Sequence, residues 1–116
     1  KDQDLSKIFL ESFADSDKRL IIGSVMDESL IISDITKKCQ IPQTSGYRKI
    51  NFLINNGLLV SRGFEFTQDG KKVKKYETIV NNVVMEIVKN SVSVKIQLKK
   101  SLLDESSILQ IVQIHS

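Results

Sequence analysis

Residues 42–57 of this 116-residue chain read PQTSGYRKINFLINNG, and this stretch decides the fold. Apolar and small residues recur in it at the spacing of an α-helix, and at about 100° per residue four of them share one side. These four are Gly46, Ile50, Leu53 and Ile54. Pro42 suits the first helical position, and Asn56-Gly57 supplies a left-handed residue that ends the helix. The pattern predicts a helix over 42–55 with one face in a core.

The opposite side of this helix is polar but is not built from the usual Glu and Lys. It carries Thr44, Arg48, Asn51 and Asn55. Arg can grip guanine through two hydrogen bonds, Asn can do the same with adenine, and Thr can contact either a base or a thymine methyl group. Such a face suits a helix that reads base edges, although a merely solvated face remains the alternative for the helix taken alone.

Two helices and a short apolar run are predicted upstream. Residues 4–13 have the pattern of an amphipathic helix, and Asp15 or Ser16 is expected to cap a second helix with Asp17 in its first turn. The predicted buried stripe of that second helix consists of Leu20, Ile21, Ile22, Val25 and Met26. The run 30–32 is apolar and short enough to pair as a strand.

A brief helix over 34–39 is predicted to precede the long one. Ser33 is its expected N-cap, and Ile35 and Cys39, one turn apart, are expected to face inward. Gln40-Ile41 then forms the turn into the long helix. Two helices joined by so short a turn are typical of a helix-turn-helix unit.

A β-hairpin is predicted after the long helix. Asp69-Gly70 is a strong signal for a two-residue turn, which would pair Phe66 with Val73 and Glu65 with Lys74. Apolar residues would then face apolar ones, and opposite charges would face each other. The exposed tip of this hairpin is expected to be basic.

A second hairpin is predicted between 81 and 100, followed by a tail. A turn at Asn90-Ser91 would place Ile87 opposite Val94 and Met85 opposite Ile96. Helical spacing also fits 79–88, but the β-branched residues and the alternation over 92–98 favour strands. In the tail, 101–116, a short helix is predicted.

Charge is unevenly distributed along the chain. The net charge of +3 resolves into −4 over residues 1–36, +7 over 37–76 and zero over 77–116. A basic segment of this kind in an otherwise neutral or acidic chain is the pattern of a polyanion binder, although a solvated lysine-rich surface gives the same pattern.

The order of helix, short helix, tight turn, long helix and basic hairpin is that of a winged helix. Residues 31–59 resemble the DNA-binding stretch of ArsR-like regulators of archaea and bacteria, and residues 76–98 resemble the β-hairpin extension of the archaeal members. The resemblance covers about 15–98 and leaves the tail unmatched. Two positions depart from the family pattern: Gln40 stands where Gly is usual, and Gly46 stands where a β-branched residue is usual.

The resemblance implies an α+β fold, a single winged helix-turn-helix domain over 1–116. It would have a core at 15–80, a hairpin extension at 81–100 and a tail at 101–116. It also implies three groups of DNA contacts. The base-reading residues would be Gln43, Thr44, Ser45, Arg48 and Asn51. The phosphate-contacting residues would be Ser33, Lys38 and Tyr47. The wing residues beside the minor groove would be Thr67, Gln68, Lys71 and Lys72.

Several chemistries have no recognisable residues in the sequence. Cys39 is the only cysteine and His115 the only histidine, so neither a soft-metal site nor an internal disulfide is expected. There is no glycine-rich phosphate loop, no paired-carboxylate motif and no long apolar run. The sequence therefore predicts a cytoplasmic chain that is not an enzyme, binds no cofactor or metal and does not enter a membrane.

The sequence predicts sequence-specific binding of double-stranded DNA in transcriptional regulation, as a homodimer. The alternative is a winged-helix module that docks another protein, for which Phe52 is the one hint because it lies on neither face of the long helix. Two apolar surfaces are candidates for dimerisation. One is the first helix, with Leu5, Ile8, Phe9 and Phe13, and the other is the tail, with Ile108, Ile111 and Val112.

Overall fold

The structure is a computed structural model that describes residues 2–103, 105, 106 and 108. It is an α+β fold in which four helices precede two antiparallel β-hairpins and a short fifth helix. The helices are α1 (Asp2–Ala14), α2 (Ser16–Ser24), α3 (Ile32–Cys39), α4 (Gln43–Asn55) and α5 (Lys100–Leu103). The strands are β1 (Leu59–Phe66), β2 (Lys72–Thr78), β3 (Val80–Val88) and β4 (Ser91–Leu98).

The helix boundaries follow local signals with two corrections. Asp15 caps α2 by accepting a hydrogen bond from the Lys18 backbone N–H at 2.9 Å, as predicted. Ser33 is not the cap of α3 but lies inside it, because α3 begins at Ile32, two residues before the predicted start at 34, and has no side-chain cap. Pro42 lies just before the first residue of α4 instead of inside it. At the other end of α4, Gly57 has φ 80°, the predicted left-handed stop.

One apolar core joins all parts of the described chain. It draws on each of the first four helices, on the start of both hairpins and on the segment after them. Its fully buried members include Ile21, Ile22, Val25, Ile35, Ile50, Leu53, Leu58, Leu59, Ile79, Val80, Leu102 and Ile108. Leu20, predicted to be buried in α2, is instead exposed, because it lies on the outer side of a helix whose inner side is formed by Ile21 and Ile22.

The first hairpin has a different register from the predicted one. Phe66 lies opposite Lys72 and Glu65 lies opposite Val73, one residue away from the predicted pairs. The loop is three residues long, since Thr67 pairs with Lys71 and the left-handed residue is Gly70, with φ 83°. Such a loop is a common hairpin class that also requires a residue in the left-handed region. A slip by one residue exchanges the two faces of a hairpin, so Phe66 is 70% exposed and not part of an apolar pair.

The second hairpin is formed, as predicted, but its register is shifted by two residues. Its turn is Lys89-Asn90, with Lys89 at φ 55°, and Ile87 lies opposite Val92 in place of Val94. Because side chains alternate with a period of two, this shift leaves every side chain on its predicted face. The strands are thereby confirmed over the helical alternative for 79–88.

Short backbone links attach the hairpins to the helices. Leu30 and Tyr76 exchange two backbone hydrogen bonds of 3.0 and 2.8 Å, so only Leu30 of the apolar run 30–32 pairs as a strand. The buried Thr78 hydroxyl donates to the Leu58 carbonyl at 2.8 Å. These bonds fix the base of the first hairpin beside α3 and α4.

The segment after the second hairpin contributes to the core. α5 lies at the very start of the tail in which a helix was predicted, and Ile108 is 2% exposed. The Ser106 hydroxyl donates to the Gly57 carbonyl at 2.6 Å, which holds this segment against the end of α4. Ile108 is therefore a core residue and not a free dimerisation surface. Ile111 and Val112 lie outside the described residues.

Candidate nucleic-acid interface

The long helix α4 has the two faces that the sequence predicted. Gly46, Ile50 and Leu53 are buried, and Ile54 is half-buried. The residues of the opposite side are exposed, namely Thr44, Arg48, Asn51 and Asn55. Arg48 makes no ion pair with any described residue. The prediction of a polar, solvent-facing side is confirmed.

The other two predicted base-reading residues lie at the start of α4. Gln43 is exposed, whereas Ser45 is half-buried and its hydroxyl donates to the Pro42 carbonyl at 3.3 Å. Ser45 therefore completes the first turn of its own helix. It lies at the side of the exposed face, while Gln43 and Thr44 lie at its end.

Gly46 sets how closely α4 approaches α3. A Cβ atom at this position would lie 2.7 Å from Thr36 Cγ2 and 3.4 Å from Ile41 Cγ2. The Thr36 side chain is fixed in place, because its hydroxyl donates to the Ser33 carbonyl at 2.9 Å. Gly46 thus occupies a position that a β-branched residue could not enter without moving α3.

Lys49 holds α4 against the start of α2. Its ammonium group lies 2.8 Å from the Asp17 carboxylate and 3.2 Å from that of Asp15. The hydrogen bond to Asp17 raises the pKa of Lys49. Burial acts to raise the pKa of Asp15, but the bonds from the Lys18 N–H and from Lys49 outweigh it and keep that pKa below its ordinary value. The Lys49 ammonium group is therefore already paired within the chain, although Lys49 belongs to the basic segment, residues 37–76.

Two of the three predicted phosphate-contacting residues face the first hairpin. Tyr47 is 39% exposed and Ser33 is half-buried at the first turn of α3. The third, Lys38, lies elsewhere on α3 and is exposed. Its ammonium group is paired with the Glu28 carboxylate at 2.6 Å. A phosphate would have to compete with Glu28 for this lysine.

The tip of the first hairpin, residues 67–72, is held by its own hydrogen bonds. The Thr67 hydroxyl bonds to the Asp69 carboxylate and accepts from the Lys71 N–H at 3.2 Å. Gln68 and Lys71 are exposed, and the Lys71 ammonium lies 4.0 Å from Asp69. These bonds make the tip a defined loop that presents basic side chains to solvent.

A cleft of about 380 Å³ separates α3 and α4 from this hairpin. Four of the predicted DNA contacts line it, although they come from distant parts of the sequence. They are Ser33, Tyr47, Thr67 and Lys72. The cleft continues from the exposed side of α4, since Tyr47 lies about 60° around the helix from Thr44. The structure therefore brings two of the predicted phosphate contacts, Ser33 and Tyr47, together with two of the predicted wing contacts, Thr67 and Lys72, in one cleft.

Sequence reasoning missed three residues of this region. Lys74 lines the same cleft, and Phe64 and Phe66 are 51% and 70% exposed on the hairpin. The Lys72 ammonium lies 4.1 Å from the centre of the Phe64 ring. The alternation in Gly63-Phe64-Glu65-Phe66 could have indicated these rings, but the register predicted for the hairpin placed Phe66 in an apolar pair.

Within the part of the chain that the structure describes, the remaining candidate residues form no second site. Cys39 is half-buried, and burial, the largest effect on it, raises the pKa of its thiol, which lowers its reactivity. Over the residues that the structure describes, no group of three or more His, Cys, Asp or Glu is placed to hold a metal ion. Within the same residues, no helix combines the length and apolarity needed to cross a bilayer.

Comparison of the chain with protein-family models and with curated proteins finds no match in either. The function is therefore inferred from the geometry of the α4 face, the cleft and the hairpin.

Proposed function

We propose that this chain is a winged helix-turn-helix protein of the ArsR-like type that binds double-stranded DNA in a sequence-specific way and regulates transcription. The observation that carries the proposal is the exposed side of α4, where Thr44, Arg48 and Asn51 point to solvent while Gly46 and Ile50 anchor the helix. A helix held in this way can enter a major groove without losing its packing on the core.

Each part of the surface fits one part of a duplex. Arg48 and Asn51 have the side chains that discriminate base edges, and Gln43 and Thr44 lie at the end of α4 that would point into the groove. Ser33 and Tyr47 carry hydroxyl groups suited to phosphate oxygens. Gln68, Lys71, Lys72 and Lys74 would follow the neighbouring backbone, with Thr67 holding the loop that presents them.

Two ion pairs bear differently on this mode of binding. The exposed pair Lys38–Glu28 is of a kind worth at most about 1 kcal/mol, so DNA could exchange it at little cost. The contact of Lys49 with Asp15 and Asp17 is more enclosed, and it holds α4 at its angle to α2. We assign Lys49 to positioning the helix and not to DNA contact.

The alternative is a winged-helix module that docks a protein through α4. In the sequence, Phe52 was the one residue that suggested such docking. In the structure, the Phe52 ring is half-buried and covered by the Lys18 ammonium group, which lies 3.7 Å from the centre of the ring. With Phe52 covered in this way, the described part of α4 presents no apolar stripe for a partner. This observation favours the polar, DNA-reading use of the helix.

The proposal is tested by selecting binding sites from random duplex DNA with the full chain and then measuring affinities by titration. Arg48→Ala is expected to reduce the ratio of selected to non-selected affinity by roughly 10- to 100-fold, since a bidentate base contact is worth about 1–3 kcal/mol. Lys7→Ala, which removes an exposed charge from α1, serves as the matched control and is expected to leave the ratio unchanged.

Two results would count against the proposal. Failure to enrich any sequence from the random pool would favour the alternative function, docking of another protein. Enrichment with a specificity ratio unaffected by Arg48→Ala would show that the exposed side of α4 is not the reading surface.

A further inference from the structure

Lys18 of α2 is a buried lysine without a carboxylate partner. The residue is only 9% exposed. Among the residues that the structure describes, its ammonium group has no hydrogen bond and no ion pair, and its one contact of note is with the Phe52 ring. Burial of a charge is unfavourable unless the charge is paired, and a single aromatic ring offsets only part of that cost. An anion that reached this ammonium group would therefore be bound favourably.

Lys18 and Phe52 line a groove of about 530 Å³ between α1, α2 and α4. The helices that form it contribute charged and apolar side chains, which include Glu11, Ala14 and Arg48. The groove lies on the opposite side of Arg48 from no other cleft that the function has used, and it is distinct from the cleft beside the first hairpin. Arg48 thus belongs both to the exposed side of α4 and to the wall of this groove.

The walls of the groove are held in place without any ligand. The Lys49 ammonium group pairs with the carboxylates of Asp15 and Asp17 and fixes α4 against α2. Phe13, which the sequence assigned to a dimerisation surface, is 2% exposed in the core and anchors α1. The Asp15 carboxylate is already bonded to Lys49 and to the Lys18 backbone N–H, and it forms no ion pair with the Lys18 ammonium group. A site fixed in advance in this way loses little entropy when a ligand binds.

The charges that remain in the groove favour an anion. Once Lys49 is set against Asp15, the lining residues leave the cations of Lys18 and Arg48 and the carboxylate of Glu11. This excess of one positive charge suits a ligand with a single negative group. The volume lies within the range of small-molecule sites, about 300–1,000 Å³, so the groove has room for more than one inorganic ion. Ala14 and the Phe52 ring supply an apolar surface for the rest of such a ligand.

We infer that this groove binds a small organic carboxylate, with its anionic group between Lys18 and Arg48 and its apolar body along Ala14 and Phe52. A duplex phosphate is a poorer occupant, because it is carried on a broad backbone and Lys18 is buried in a concave surface. A free small molecule can enter such a groove, as ligands of concave sites do.

The bound carboxylate is an effector that weakens specific binding to DNA. This role rests on the proposed function, in which Arg48 reads a base. A carboxylate that accepts hydrogen bonds from Arg48 holds the same guanidinium donors that a guanine would use. The two ligands therefore compete, and DNA weakens binding of the carboxylate by the same factor.

The first experiment titrates benzoate into the full chain without DNA and follows the backbone amide resonances by NMR. Benzoate is the probe because it has one carboxylate and an aromatic ring. For a ligand of this size we expect a dissociation constant of about 0.1–5 mM. Inorganic phosphate, which has no apolar body, should bind at least about 10-fold more weakly.

Three substitutions define the site. Lys18→Met removes the charge, keeps an apolar side chain against Phe52 and should weaken benzoate binding by about 10-fold or more. Lys37→Met, the same change at an exposed position of α3 outside the groove, is the matched control and should stay within about 2-fold of the unmodified chain. Glu11→Gln removes the groove's own carboxylate and should strengthen binding by about 3-fold, a gain that a purely structural role of Lys18 would not produce.

A further variant covers the case in which Lys18→Met fails to fold. Arg48→Gln changes an exposed side chain, so the fold does not depend on it, and it should weaken benzoate binding by about 3- to 10-fold.

The second experiment measures affinity for a selected duplex with and without saturating benzoate. Sodium chloride replaces benzoate at equal concentration in the reference titration, because DNA affinity depends on salt. Benzoate should weaken DNA binding of the unmodified chain by about 5-fold or more. The ratio of the two affinities should fall to about 1 in Lys18→Met and stay unchanged in Lys37→Met.

Several results would overturn the inference. They are the absence of benzoate binding up to about 20 mM, binding that neither Lys18→Met nor Arg48→Gln weakens, and phosphate binding as strong as that of benzoate. A chain that does not bind benzoate but whose salt slope for DNA falls by about 1 in Lys18→Met would assign Lys18 to a duplex phosphate. Benzoate binding without any effect on DNA affinity would refute the effector role. Failure to select any DNA sequence would contradict the proposed function alone, since benzoate binding is measured without DNA.

Discussion

Substituting Gly46 by alanine tests the contact that sets the position of α4. In a solvent-exposed helix interior, Gly→Ala stabilises by about 1 kcal/mol because Gly loses more backbone entropy on folding. Here the added Cβ would lie 2.7 Å from Thr36 Cγ2, closer than two carbon atoms can approach. The sign of the effect therefore depends on whether Thr36 can move.

Two routes can relieve the clash, and both cost free energy. Rotation of the Thr36 side chain breaks its hydrogen bond to the Ser33 carbonyl, a loss of about 1 kcal/mol. Separation of α3 from α4 loosens the core beside Ile35 and Ile50, and overpacking of this kind costs about 1–3 kcal/mol. Setting these costs against the gain in helix propensity, we expect Gly46→Ala to lower the free energy of unfolding by about 1–2 kcal/mol.

A second substitution separates the clash from other effects. Thr36→Ser removes the Cγ2 methyl group and keeps the hydroxyl that bonds to Ser33. In this background Gly46→Ala should be neutral or stabilising by up to about 1 kcal/mol, giving a coupling energy of about 2 kcal/mol. Denaturant unfolding followed by far-UV circular dichroism is the suitable assay, since the chain has no tryptophan.

The result that would refute the reasoning is specific. If Gly46→Ala stabilised the protein in the presence of Thr36, or if the coupling energy were below about 0.5 kcal/mol, then the helices would not be in contact at this point. The angle between α3 and α4, on which the presentation of Arg48 depends, would then need another explanation.

Three further predictions concern the turn before α4, the acid sensitivity and the wing. Gln40 adopts the left-handed conformation with φ 55°, which is unfavourable for a residue with a Cβ atom. Gln40→Gly should therefore raise the free energy of unfolding by about 0.5–1 kcal/mol in the same denaturation assay. A loss of stability would contradict this. Burial acts to raise the pKa of Glu77, but the hydrogen bonds from Lys99 and Ser29 outweigh it and keep that pKa low, as those from Lys18 and Lys49 do for Asp15. Both carboxylates then stabilise the fold above their unfolded pKa, and that contribution is lost as the pH falls from about 5 through their folded pKa. Glu77→Gln should make this loss of stability with falling pH less steep, as measured by thermal unfolding at a series of pH values. An unchanged slope of stability against pH would exclude a role for Glu77. Lys71→Ala and Lys72→Ala should each weaken binding to selected and random duplexes alike and reduce the slope of log affinity against log salt by about 1, whereas a loss confined to the selected site would assign them to base reading.

Local sequence determined the helices, their approximate limits and the two faces of α4. These features depend on residue spacing, on a capping carboxylate at Asp15 and on a left-handed residue at Gly57, all of which act over one or two turns of chain. The positions of the two hairpins were likewise predictable from alternation and turn residues. For this reason the exposure of Arg48 and Asn51 follows from the amino-acid sequence alone.

Only the tertiary structure decided which residues meet. The register of each hairpin depended on which residues became left-handed, and several loop lengths suit the same sequence. The need for Gly46 is set by Thr36, ten positions away, and Lys49 is withdrawn from the basic surface by two carboxylates at the start of another helix. Contacts of this kind depend on how elements distant in sequence pack together, and spacing along one helix or strand contains no information about that packing.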